Sequence, residues 1–130
     1  MQKTNVGLQQ QEVYRHDRRL QTHQITPELI AYIVKKIAQG VAPERIILFG
    51  SWARGEASDS SDLDLFIVQD GRQTNREVRR QIEALLSGRW FSMDLIVRQS
   101  EEVARNVADG NPFYTQDILR EGKVLYERAR

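Results

Sequence analysis

No cysteine occurs among the 130 residues, and only two histidines do. Disulfides, cysteine-ligated zinc, iron–sulfur clusters and a thiol nucleophile are thereby excluded, and a histidine-rich metal site lacks donors. Any bound metal is expected to be a hard cation held by oxygen. An excess of one charge is also missing. Nineteen basic side chains against 18 acidic ones leave a net charge of +1, so nothing draws the whole chain toward nucleic acid or an anionic membrane. Direct nucleic-acid binding is therefore not expected without a local basic patch. No apolar run approaches the ~20 residues of a membrane span. Residues 1–5 carry no apolar stretch of the secretory kind, so the expected compartment is the cytoplasm. What is present is the composition of one ordinary domain, 40% hydrophobic and 28% charged. Such a chain can bury roughly two-thirds of the surface its unfolded form exposes.

Residues 1–24 are polar and glutamine-rich, and Val13, Tyr14 and Leu20 are too sparse for a strong apolar face. They read as a polar arm, or as a weak helix from around Gln10 that needs a partner surface. His16 and His23 fall in this segment and read as surface residues. The domain proper is expected over 25–130. Thr26-Pro27-Glu28 gives an N-cap, a proline at the first helical position and an acidic first turn. Leu29, Ile30, Ile33, Val34 and Ile37 then form one stripe, and Gly40 supplies the stop.

Ile46-Ile47-Leu48-Phe49 is a continuous apolar run ended by Gly50, the pattern of a strand covered on both faces. A short polar loop leads to a second strand, from Asp62 to Val68. Thr74 and Glu77 form a capping box for a helix buried through Val78, Ile82, Leu85 and Leu86, with Gly88 beyond its end. Trp90 to Val97 reads as a third strand. Ser100 opens a helix toward Ala108, Asn111-Pro112 opens another toward Arg120, and 123–126 form a last strand. Arg76, Arg79 and Arg80 read as a solvated helix face, although a phosphate-rich partner could use them. The order predicts an α+β fold, a small mixed sheet with helices packed mainly on one face.

Side chains two apart on a strand share a face, so Asp62 and Asp64 point together while Leu63, Leu65 and Ile67 point the other way. Two anions held side by side repel unless a cation lies between them. Mg²⁺ suits such a pair, because it takes one or two carboxylates and completes its shell with phosphate oxygens and water. Directly after the first strand, Gly50 permits a sharp turn, and Ser51 begins a helical turn whose free N–H groups face an anion. Arg54, one turn along, can reach the same phosphates. The pattern predicts a triphosphate held at Gly50 and Ser51, with its metal on Asp62 and Asp64. Where a hydroxyl must lose its proton a third carboxylate is needed. If the third strand lies beside the second, Asp94 supplies it from within roughly 5 Å. Three carboxylates, two Mg²⁺ ions and in-line displacement at phosphorus make a coherent mechanism. Alone, Asp62/Asp64 would be strand-start punctuation and Arg54 a surface arginine. Trp52 reads as a packing or rim residue.

Residues 46–56 and 61–65 carry Gly-Ser, ten residues, then Asp-x-Asp, and this resembles the signature of the DNA polymerase β nucleotidyltransferase superfamily. The chain is similar to its minimal nucleotidyltransferase members over about residues 26–127, including the closing stretch 118–126. The resemblance implies a polymerase β palm-like fold. It also implies that Gly50 and Ser51 bind the triphosphate, that Asp62 and Asp64 ligate Mg²⁺, and that Asp94 completes the metal site. The implied activity is transfer of AMP from ATP to a hydroxyl. Minimal members often accompany a HEPN ribonuclease toxin and act as its antitoxin by adenylylating a tyrosine, so such a toxin is the expected partner. Two other readings stand beside this one: a non-catalytic nucleotide-binding or toxin-masking module, and nucleotidylation of a small molecule such as an aminoglycoside. A homo-oligomer is compatible with either. Shortness itself favours an acceptor carried on another molecule.

Overall fold

The computed structural model describes residues 17–129. The helix expected from around Gln10 starts outside these residues, as does His16. After a 3-10 turn at Arg18–Leu20 the elements are α1 (Pro27–Val41), β1 (Arg45–Phe49), α2 (Gly50–Arg54), β2 (Leu63–Gln69), α3 (Asn75–Leu85), β3 (Met93–Gln99) and α4 (Ser100–Ala108). A π-helix (Phe113–Arg120) and β4 (Lys123–Glu127) complete the fold. Among the described residues no helix is long and apolar enough to cross a membrane.

The four strands lie in the order β3-β2-β1-β4. β1 pairs antiparallel with both neighbours, whereas β2 and β3 run parallel and are joined by the crossover helix α3. Alternation along the strands sorts the core into two layers. Leu63, Leu65, Ile67, Leu95 and Val97 face α1 and α3, where they meet Leu29, Ile33, Ile37, Val78 and Ile82. Ile47, Phe49, Phe66 and Val68 face the opposite way, against Val103 of α4 and Tyr114 and Ile118 of the π-helix. The two longest helices thus share one face, and the two shorter ones cover part of the other. Phe66 is fully buried there and packs edge-on to the rings of Phe49 and Tyr114.

The capping signals act as their chemistry requires. Thr26 Oγ1 accepts from Leu29 N, and Thr74 Oγ1 accepts from Glu77 N while its hydroxyl donates to Glu77 Oε1. One expectation shifts: α1 runs past Gly40 to Val41, and Ala42 takes the left-handed position at φ 45°. Gly40 serves packing instead, since a Cβ there would lie 2.4 Å from Leu85 Cδ1 of α3. The segment from Asn111 also differs in type, because wide turns replace α-helical ones, as in the bond from Glu121 N to Gln116 O. Gly122 then carries the chain into β4 where a Cβ would meet Ile118 O at 2.1 Å.

Residues 17–24 pack onto this domain. Leu20 is fully buried beneath α1 and α3, a burial that contributes about 1.5–3 kcal/mol for such a side chain. Asp17 accepts from Lys36 Nζ and Tyr32 Oη of α1. Burial pushes the Asp17 carboxyl up, but the hydrogen bonds from Lys36 and Tyr32 outweigh it and hold the group below its ordinary value.

Candidate active site

β1 is extended as far as Phe49, and the chain then turns through Gly50 at φ +73° straight into α2. Only glycine adopts that backbone angle without strain. Space imposes the same choice: a Cβ on Gly50 would lie 2.0 Å from Asp64 Oδ2. The helix that follows is short, with Ser51 in its first turn, Ala53 buried beneath it and Gly55 closing it in the left-handed region. Gly55 N and Glu56 N both donate to Ser51 O. The start of α2 thus lies against the Asp64 carboxylate.

Asp62 stands just before β2 and is exposed, while Asp64 lies on β2 and is partly buried. Leu63 N donates to Ser92 O, a bond that aligns the beginnings of β2 and β3. The register places Asp64 between Phe49 on one side and Asp94 on the other. Asp94, Asp64 and the Phe49–Gly50 step therefore form a row across three strands at one end of the sheet. In-register neighbours on one face are within reach of each other.

The electrostatics record this crowding. The Asp64 carboxyl is pushed up to about 6, first by burial, then by the charges of Asp94 and Asp62, while Arg54 pulls it the other way. Among the described residues no three acidic or imidazole side chains converge closely enough to enclose a metal by themselves. The carboxylates are coupled through their charges without closing a cage. Mg²⁺ is held by one or two carboxylates with water and phosphate oxygens supplying the rest, and this site offers hard oxygen donors with surplus negative charge.

Arg54 Nε also donates to Glu56 Oε1 at 3.2 Å, so the guanidinium sits between that partner and the field of Asp64. Trp52 packs against the core on the α1 side, and its Nε1 donates to Ser61 O. It fastens α2 to the loop that delivers Asp62. Nothing in the motif spacing assigns the serines of that loop a role, yet Ser61 Oγ accepts from Ser58 N at 2.8 Å and ties the turn. The serine-rich stretch 58–61 was the available signal, since short hydroxyl side chains bond local backbone in turns.

The arrangement can hold an anionic tail at the α2 start, a cation on the carboxylates and a nucleophile beside Asp94. Residues 32–130 match the family model described as polymerase beta, nucleotidyltransferase. A Methanocaldococcus jannaschii protein named a putative protein adenylyltransferase is 34% identical over 83 residues, or 64% of this chain and 78% of the relative. The fold is similar to the crystal structure of a putative nucleotidyltransferase from Sulfolobus solfataricus, with a TM-score of 0.54 at 23% identity. That match covers 78% of this chain and 79% of the other.

Proposed function

Because the chain belongs to the polymerase β nucleotidyltransferase family, we propose that it transfers AMP from ATP to a hydroxyl of a partner protein. The observation that carries this reading is Asp64, a partly buried carboxylate pushed up to about 6 between Asp94 and Asp62 and pressed against Gly50. A perturbed carboxylate grouped with other acidic side chains at a strand end marks a candidate site of chemistry. Here they adjoin a helix start suited to phosphate.

In the proposed step the acceptor hydroxyl oxygen attacks the α-phosphorus of ATP. An O–P bond forms, the bond from that phosphorus to the bridging oxygen of the β-phosphate breaks, and pyrophosphate leaves with the electron pair. The hydroxyl proton passes to the Asp94 carboxylate and then to solvent. Gly50 and Ser51 hold the triphosphate, and Arg54 turns its charge toward it. Asp62 and Asp64, with Asp94, hold Mg²⁺, which neutralises phosphate charge when bound.

The partner that the resemblance to minimal nucleotidyltransferases points to is a HEPN-type ribonuclease toxin, with a tyrosine as acceptor and this chain as antitoxin. The relative named as a protein adenylyltransferase supports a protein acceptor. Coexpression with such a toxin, followed by mass spectrometry, tests the assignment. AMP on a toxin tyrosine, absent with the Asp64→Asn variant, is the expected result. Unmodified toxin that is nevertheless neutralised would overturn it in favour of simple masking.

A further inference from the structure

β3 is an edge strand, bonded among the described residues to β2 alone. Ser92 O is used by Leu63 N, so the backbone groups of Asp94 turn inward to β2 and those of Leu95 and Val97 turn outward. At that outer side Arg98 Nη1 donates to Val97 O at 2.8 Å. Between this edge and the first turns of α3 runs a trough of about 320 Å³, walled by Asn75, Arg76, Arg79 and Asp94. Arg76 and Arg79 are exposed, and neither forms an ion pair among the described residues. Apart from that capped carbonyl, a sheet edge with no strand beyond it among the described residues and two guanidinium groups outside any ion pair beside it suits an acidic chain.

The site's row runs outward in the order Gly50, Asp64, Asp94, and then ends at the open edge. A strand added there extends the row by one place. Its side chain opposite Asp94 occupies the position next to the proton acceptor of the proposed step. Docked antiparallel, that position is a non-hydrogen-bonded pair, in which opposed side chains approach most closely. We infer that the acceptor is an acidic polypeptide segment that binds in extended form along β3 and presents its hydroxyl residue opposite Asp94. Main-chain bonds supply affinity, and Arg76 and Arg79 supply charge selection. This rests on the nucleotidyl-transfer reading above and adds to it the way the acceptor is held.

The test uses the full chain with ATP, Mg²⁺ and synthetic tyrosine-containing peptides of alternating pattern, one acidic and one basic, with transfer read by mass spectrometry. The acidic peptide is expected to be modified at least tenfold faster than the basic one. N-methylation of alternate amides along one edge of the acidic peptide abolishes modification, whereas methylation along the other edge leaves it. In the Arg76→Glu/Arg79→Glu variant the charge preference reverses, a gain that an unfolded protein cannot give. Equal modification of both methylated peptides overturns the inference, as does an unchanged preference in the double variant or transfer to RNA in place of any peptide. If lysate protein is labelled while every peptide stays unmodified, strand addition is refuted and nucleotidyl transfer stands. If nothing is labelled at all, both readings fall.

Discussion

Gly50 and Asp64 stand so close that the smallest side chain cannot be inserted between them: a Cβ on Gly50 would come within 2.0 Å of Asp64 Oδ2. The turn out of β1 and the carboxylate of β2 are thus one fitted unit. Gly50→Ala meets two penalties, the contact and the left-handed φ of +73°, the second alone costing about 1–2 kcal/mol. The variant is expected to melt lower and to bind ATP far more weakly. An alanine variant with wild-type melting and ATP affinity would show that the close approach is not required.

Asp64 makes stability depend on pH in a definite direction. Its carboxyl titrates at about 6 in the fold, against an ordinary value of 3.8. Below the lower value both states are protonated and no penalty exists. Between the two, the unfolded chain releases its proton first, so stability falls as pH rises and stays low above about 6. Asp64→Asn removes the charge that burial, Asp94 and Asp62 disfavour. The variant is expected to melt above wild type at pH 7, with the gap closing toward pH 4. Mg²⁺ should raise the melting temperature of wild type and leave the variant unmoved. A gap that widens as pH falls would contradict this assignment.

Arg54 pulls the Asp64 carboxyl down against three influences that raise it. Arg54→Gln therefore sends the Asp64 titration higher still, which carboxylate NMR detects. It also removes a cation from the triphosphate region, so KM for ATP should rise more than kcat falls. An unmoved Asp64 titration would mean that Glu56 fully occupies the guanidinium.

Asp94 stands beside Asp64 but is more exposed. If it takes the acceptor proton, Asp94→Asn lowers kcat by about 10²–10⁴-fold with the fold intact. Unchanged melting together with unchanged turnover would remove Asp94 from the reaction.

Much of this architecture is legible along the chain because local rules govern it. Thr26 and Thr74 announce their helices, and the run ending at Gly50 announces a strand and a turn. The loop between Gly55 and Asp62 likewise announces a second strand. Other features depend on contacts between distant residues. That Asp94 falls opposite Asp64, and not one place off, is set by strand register and by the Leu63–Ser92 bond. Leu20 lies in a polar stretch too sparse to show an apolar face, yet this one side chain is fully buried. Gly40 looks like a helix stop because nothing local reveals Leu85 pressing on it from α3. The distribution of helices over both sheet faces also follows from tertiary packing, as Val103, Tyr114 and Ile118 close over Phe66.

Nucleotidyl transfer and phosphoryl transfer differ in which phosphorus reaches the acceptor, and that difference gives the most direct measurement. The protein is incubated with Mg²⁺, a cell lysate and ATP labelled at either the α- or the γ-phosphorus. A labelled protein band is predicted with α-labelled ATP alone, and it disappears with Asp64→Asn. Label arriving from the γ-position, or α-label persisting in the Asp64→Asn variant, would contradict the account.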